Sequence, residues 1–167
     1  YFIKGNNRGK LIIPCGTGKT LLSFWLHRKL NPKKILIAVP SLALIRQFID
    51  EWAKEIDSLN LDYEWSIVCS DQSTGTNSND SDNYMSNSSD LGIKVTTNVD
   101  QLTRILRKNK KQIIITTYQS GEVIAQSSRL SKTKFDLAIF DEAHRTVGRK
   151  NKLFSHMLFD ENINIKN

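Results

Sequence analysis

Short apolar runs alternate with segments of helical periodicity along most of the chain. The runs are KLIIP (10–14), KILIAVP (34–40), WSIVCS (65–70), QIIITTY (112–118) and FDLAIFD (135–141). Each is as long as a strand and apolar over most of its length, which is typical of strands buried on both faces of a sheet. Order is expected to resume at IKVTT (93–97) after a long polar stretch.

The segments between the runs predict helices. Apolar residues recur at helical spacing over 20–30 and 41–57, a third helix is expected from 98 to about 108, and a short one within 118–126. Ser41 is a suitable N-cap, and Asn98 opens a capping-box-like sequence. Buried strands separated by helices predict an α/β fold, a mostly parallel sheet sandwiched by helices. In such sheets, ligands bind at the carboxyl ends of the strands.

The polar segment 70–90 interrupts this alternation. It contains four aspartates, no lysine or arginine, and almost no strongly apolar residue. Such a segment cannot bury enough apolar surface to offset its ordering entropy, so we expect a flexible polar insertion. The formal net charge of the chain is +7. Because this segment is acidic, the rest of the chain is more basic still, which indicates an anionic partner.

The composition is that of one globular domain, since 39% of the 167 residues are apolar and 25% are charged. No apolar run approaches the roughly 20 residues of a membrane span. Cys15 and Cys69 have the spacing of neither a zinc site nor a disulfide framework. We therefore expect an intracellular location, cytoplasm or nucleus, without a membrane. Because the chain begins at Tyr1, we expect residues 1–167 to be one lobe of a longer protein.

The segment PCGTGKT (14–20) stands between the first apolar run and the first predicted helix, where a phosphate-binding loop is expected. Glycines let the backbone wrap around an anion, a lysine neutralises phosphate charge, and a threonine hydroxyl can ligate Mg²⁺. The pattern GxxxxGK[ST] is only partly met, because Ile13 stands in place of its first glycine. The alternative is a glycine-rich turn that only caps a helix.

Two adjacent carboxylates, Asp141 and Glu142, follow the last apolar run. Carboxylates at the edge of a core are costly unless a cation or a bound water uses them. In a nucleotide site the first would hold Mg²⁺ through water, and the second would deprotonate the attacking water. Taken alone, such a pair after a strand is often just the start of a helix, where acidic residues are favoured. Taken with the segment 16–20, it predicts an NTP hydrolase.

Together these segments resemble motifs of the superfamily 2 helicases and translocases. GTGKT (16–20) resembles motif I, VPSLALIRQ (39–47) resembles motif Ia, and DEAH (141–144) resembles motif II. ITTYQS (115–120) resembles the stretch before motif II in the helicase-like subunits of type I and type III restriction enzymes. The resemblance extends over residues 10–149 and implies a RecA-like P-loop NTPase lobe.

The resemblance also implies a role for each matching residue. The phosphates of ATP, with Mg²⁺, would bind at Cys15, Gly16, Thr17, Gly18, Lys19 and Thr20. Asp141 would coordinate Mg²⁺ partly through water, Glu142 would be the catalytic base, and His144 would couple hydrolysis to the nucleic acid. The nucleic-acid backbone would lie against Pro40, Ser41, Leu42, Thr116, Thr117, Tyr118 and Gln119. Without the resemblance, the last group would rather be interpreted as a strand end with a helix cap (40–42) and a polar turn (116–119).

The chain also departs from the family pattern. No glutamine precedes the segment 16–20 to select adenine, and neither the Ser/Thr-Ala-Thr motif nor an arginine-finger motif occurs. Because such an arginine contributes about 10³–10⁵ in rate, we expect a second RecA-like lobe of the parent chain to complete the site. The isolated chain is expected to bind Mg-ATP weakly and to hydrolyse it barely.

The sequence therefore predicts the ATP-binding lobe of a nucleic-acid-dependent ATPase, a DNA helicase or duplex DNA translocase. DNA is favoured over RNA because of ITTYQS. An RNA helicase of the DEAH type remains an alternative. A catalytically silent nucleic-acid-binding scaffold is another, although Lys19, Asp141 and Glu142 argue against it.

Overall fold

The computed structural model describes residues 9–14, 16–69 and 93–143, together with Ile163 and Ile165. Its helices are α1 (Lys19–Leu30), α2 (Leu42–Ser58), α3 (Val99–Leu106) and α4 (Gly121–Ser131), and a 3₁₀ turn spans Tyr118–Ser120. Its strands are β1 (Lys34–Val39), β2 (Glu64–Val68), β3 (Lys94–Thr96), β4 (Gln112–Thr117) and β5 (Leu137–Phe140). No helix in these ranges is long and apolar enough to cross a membrane. The predicted insertion 70–90 lies outside the described residues.

The strands form a single parallel sheet in the order β3-β2-β4-β1-β5. Strand β1 pairs with β4 on one side and with β5 on the other, and the register aligns Val39 with Thr117 and Ala38 with Phe140. Strands that run in the same direction all end at the same edge of the sheet. The predicted α/β fold is confirmed, and with it the common edge at which a ligand is expected.

Each face of the sheet is covered by helices. In β1, Ile35, Ile37 and Val39 contribute to one core, whereas Leu36 and Ala38 contribute to the other. Helices α1 and α2 close the first core, and α3 and α4 close the second. Side chains alternate between the faces of a strand, so a strand covered on both sides must be apolar throughout. This explains why the runs in the sequence are continuous.

The predicted strand over residues 10–14 is wrong. These residues adopt no regular structure, and Leu11 and Ile12 are 58% and 80% exposed. An apolar run forms a strand only where a neighbouring strand pairs its backbone groups, which periodicity does not reveal. The other predicted elements within the described residues are confirmed, and α4 extends to Ser131, beyond the short helix expected there.

A cluster of rings fixes α1 against α2. Trp52 lies edge-on to Phe24, with ring centroids 5.4 Å apart, and stacks on His27 at 5.2 Å. The Nε2 atom of His27 is 2.8 Å from the hydroxyl of Tyr63. Burial lowers the pKa of His27 to about 4, so the ring is neutral at neutral pH. The cluster therefore joins the two helices without a buried charge.

The helix starts offer a test of local stability. The Asn98 side chain accepts hydrogen bonds from the backbone N–H groups of Asp100 and Gln101, whereas Ser41, at the start of α2, makes no such bond within the described part of the chain. We expect Asn98→Ala to lower the free energy of unfolding by about 1 kcal/mol. The matched change Ser41→Ala should cost clearly less, as measured by urea denaturation. Equal losses would contradict this account.

Candidate active site

The ends of three neighbouring strands form the predicted site edge. Strands β1, β4 and β5 end at Val39, Thr117 and Phe140. The backbone N–H of Asp141 donates to the carbonyl of Ala38 over 2.9 Å, so the pairing with β1 extends one residue beyond β5. Asp141 and Glu142 are thereby held beside the end of β1. The edge thus collects residues that are a hundred positions apart in sequence.

The loop before α1 depends on two glycines. Gly16 and Gly18 have φ values of +76° and +80°, in the left-handed region that favours glycine. A Cβ atom added to either would meet none of the described atoms within 4 Å. The requirement for glycine is therefore conformational and does not come from crowding. The loop is also exposed, which leaves it accessible to a ligand.

The N-terminus of α1 has the features of an anion site. Gly18 is the N-cap residue and has no side chain to cap the helix, and the first turn contains no acidic residue. The first N–H groups of a helix have no partner within the helix and carry partial positive charge. A phosphate at this end could accept hydrogen bonds from these groups.

Helix α2 holds the first turn of α1 in place. The indole Nε1 of Trp52 donates to the carbonyl oxygen of Thr20 over 3.1 Å, and the hydroxyl of Ser23 donates to the same oxygen over 2.6 Å. Trp52 is fully buried. This contact connects the first core directly to the segment that carries Lys19 and Thr20. In the sequence, Trp52 is recognisable only as an apolar residue on the buried face of α2.

Lys19 and Glu142 face each other across the site. The Lys19 Nζ atom lies 3.6 Å from Glu142 Oε1, and the two side chains are 29% and 26% exposed. A half-exposed pair at this distance contributes only about 0–1 kcal/mol, so a phosphate can readily replace the carboxylate. Glu142 itself has a φ of +52°. A left-handed backbone costs a non-glycine residue about 1 kcal/mol or more and is common at functional sites.

Asp141 carries an electrostatic penalty. Burial, and secondarily the charge of Glu142, raise the pKa of its carboxyl, while the backbone N–H of Glu142 and the charge of Lys19 partly oppose the shift. The ionised form is thus disfavoured in the folded protein. A cation bound beside the carboxylate would remove this penalty.

The donor set fits a magnesium ion that is held jointly with a nucleotide. Within the described ranges, no group of three or more histidine, cysteine, aspartate or glutamate side chains could hold a metal. Mg²⁺ usually binds through one or two protein oxygens together with phosphate oxygens and water. The half-buried Thr20 and Asp141 provide that kind of partial set. Their roles as magnesium ligands stay a prediction.

The strand-end residues predicted to contact nucleic acid fall into two groups. Ser41 and Gln119 are exposed, and Pro40 and Leu42 are half-buried. Thr116, Thr117 and Tyr118 are buried. The Thr116 hydroxyl donates to the carbonyl of Val68, and the Thr117 hydroxyl lies 3.3 Å from that of Ser120. Of the residues predicted to contact nucleic acid, only those of the first group therefore have accessible side chains.

Cys15 and His144 lie outside the described residues, and their roles stay predictions.

The raised pKa of Asp141 predicts that the free energy of unfolding depends on pH. Because its pKa is raised in the folded state, the folded protein loses stability as the pH rises through the range above the ordinary aspartate value. We expect Asp141→Asn to raise the free energy of unfolding at neutral pH. The gain should vanish near about pH 3, where aspartate is protonated in both states. Urea denaturation at both pH values measures this, and a loss of stability at neutral pH would contradict it.

Comparisons with known proteins identify relatives of this chain. The chain is 27% identical over 159 residues to a probable helicase of African swine fever virus, which covers 95% of this chain and 16% of that protein. A nuclease-deletion mutant of the type ISP restriction-modification enzyme LlaGI, in complex with a DNA substrate mimic, matches with a TM-score of 0.77 and 29% identity. The ATP-dependent type ISP enzyme LlaBIII, bound to DNA, matches with a TM-score of 0.70 and 28% identity.

These two structural matches cover 99% of this chain but only 13% and 11% of the other chains. The chain thus spans less than a fifth of each of these relatives. The family model described as type III restriction enzyme, res subunit, matches residues 1–164. The resemblance seen in the sequence motifs is confirmed, and the chain belongs to the helicase-like family of type III restriction enzyme res subunits.

Proposed function

We propose that this chain is the ATP-binding lobe of a DNA-dependent ATPase that couples hydrolysis to movement on DNA. The observation that carries the proposal is the approach of Lys19 to Glu142 within 3.6 Å. It brings the positive charge that follows the glycine loop within reach of a carboxylate that follows β5. A phosphoryl group that displaced this contact would lie beside both a cation and a base, as hydrolysis requires.

The residues of the lobe would act in sequence. The loop 16–18 and the first N–H groups of α1 would receive the phosphates. Lys19 would then exchange Glu142 for a phosphate, which frees the Glu142 carboxylate to accept a proton from the attacking water. Asp141 and Thr20 would hold Mg²⁺, which would neutralise charge on the phosphoryl oxygens.

The proposed polymer is DNA. The two enzymes of similar structure are described as bound to DNA or to a DNA substrate mimic. In this chain, the exposed Ser41 and Gln119 follow β1 and β4, at the same edge of the sheet as the nucleotide site. A nucleic acid lying along that edge would pass close to Asp141, which follows β5 at the same edge. We propose that a second RecA-like lobe of the parent protein completes the site.

Two substitutions test the catalytic roles in the complete protein. Glu142→Gln is expected to lower kcat for ATP hydrolysis by about 10²–10³, because it removes the base, and to preserve nucleotide binding. Lys19→Ala should weaken ATP binding as well, since it removes a phosphate contact. Steady-state hydrolysis and binding of a fluorescent ATP analogue measure the two effects.

The control for these changes is Lys29→Ala, which removes an exposed lysine from the last turn of the same helix. It should leave both kcat and ATP affinity unchanged. Full activity of the Glu142→Gln protein would exclude the proposed base.

The choice of polymer is tested by stimulation of ATP hydrolysis. We expect duplex DNA to stimulate the complete protein more strongly than single-stranded RNA, with an effect that falls as the salt concentration rises. The Glu142→Gln protein, measured in parallel, corrects for contaminating ATPases. Stronger stimulation by RNA would favour the alternative of a DEAH-type RNA helicase.

A further inference from the structure

A buried tyrosine lies directly behind the carboxylate pair. Tyr118 follows the last residue of β4 and is fully buried. Its hydroxyl donates to the backbone carbonyl oxygen of Asp141 over 2.7 Å. This bond joins two segments that are 23 residues apart. A side chain that is predicted to face nucleic acid thus contacts the backbone of Asp141, immediately before Glu142.

The orientation of this hydroxyl is constrained by packing. The Tyr118 ring stacks on Phe140, with centroids 6.5 Å apart and planes 15° apart. Phe140 is the last residue of β5 and immediately precedes Asp141. Burial, and then the charges of Asp141 and Glu142, raise the pKa of Tyr118 above its usual value. A phenolic hydroxyl, whose ordinary pKa is about 10, carries its proton at neutral pH in any case and can donate this bond.

The backbone of Asp141 is consequently held at both ends. Its N–H donates to the carbonyl of Ala38, and its carbonyl accepts from Tyr118. The next residue is Glu142, whose φ of +52° is unfavourable for any residue other than glycine. A strained conformation persists only where the surrounding structure holds it. The hydroxyl of Tyr118 holds the carbonyl of Asp141, which belongs to the peptide group immediately before the strained φ angle of Glu142.

We propose that Tyr118 is a positioning residue for Glu142, and this proposal rests on the proposed function. By fixing the Asp141 carbonyl, it sets the peptide plane from which the Glu142 backbone turns, and so the place of the Glu142 carboxylate relative to Lys19. Because Tyr118 is fully buried, we do not expect it to contact the nucleotide. Its loss should therefore affect the rate of the chemical step and leave ATP binding nearly intact.

The test compares two buried tyrosines in the complete protein. Tyr118→Phe removes the bond to Asp141. The matched control Tyr63→Phe removes a buried hydroxyl that donates to the carbonyl of Pro32, at the other end of α1. We expect Tyr118→Phe to lower kcat by about three- to tenfold, as one hydrogen bond is worth, with the KM for ATP within about twofold. Tyr63→Phe should lower the melting temperature similarly and leave kcat within about twofold.

A double-mutant cycle separates positioning from general loss of structure. If Tyr118 acts through Glu142, Tyr118→Phe should cause little further loss of single-turnover rate in a Glu142→Gln background. Phe140→Leu, which keeps the hydroxyl but removes the stacked ring, should lower kcat in the same direction. It provides the test if Tyr118→Phe does not fold.

The possible outcomes distinguish the two proposals. Equal kcat values for the Tyr118→Phe and Tyr63→Phe proteins, or full effects of Tyr118→Phe in the Glu142→Gln background, would overturn the positioning role alone. Retained hydrolysis by the Glu142→Gln protein would overturn the proposed function as well. A selective loss of kcat that disappears in the double mutant would establish Tyr118 as the support of the catalytic carboxylate.

Discussion

Parallel pairing of β1 with β4 on one side and β5 on the other is the constraint from which the site follows. Parallel strands end together, and the register leaves Thr117, Val39 and Phe140 at one edge. The described residues with proposed chemical roles lie within a few residues of those three positions, or on α1 and the loop that precedes it. A shift of register by one residue would exchange the two faces of a strand and displace the carboxylate pair.

The two cores support this edge from opposite faces of the sheet by the same kind of contact. On one face, the indole of Trp52 donates to the carbonyl of Thr20. On the other, the hydroxyl of Tyr118 donates to the carbonyl of Asp141. In each case an aromatic side chain fixes a backbone oxygen next to a residue with a proposed chemical role. Rigid ring packing can thereby determine the distance between Lys19 and Glu142.

The site is not optimised for the stability of the unliganded protein. Asp141 is partly buried beside a like charge, and Glu142 adopts a left-handed backbone. The single ion pair described between these segments, that of Lys19 with Glu142, is long and half-exposed. Such an arrangement costs folding free energy, which a bound nucleotide with its cation would compensate. This pattern favours an ATP-binding role over a silent scaffold.

The sequence by itself determined the alternation of strands and helices, the class of fold and the two chemical segments, because continuous apolar runs, helical spacing, glycines and paired acids have direct local causes. Asn98 could be identified as a helix cap for the same reason, and its bonds to Asp100 and Gln101 are present. The run over residues 10–14 failed as a strand because pairing depends on a neighbour that composition does not reveal. Only the tertiary structure decided that Tyr118 faces the Asp141 backbone and that Trp52 holds α1, since both depend on side chains meeting across elements distant in sequence.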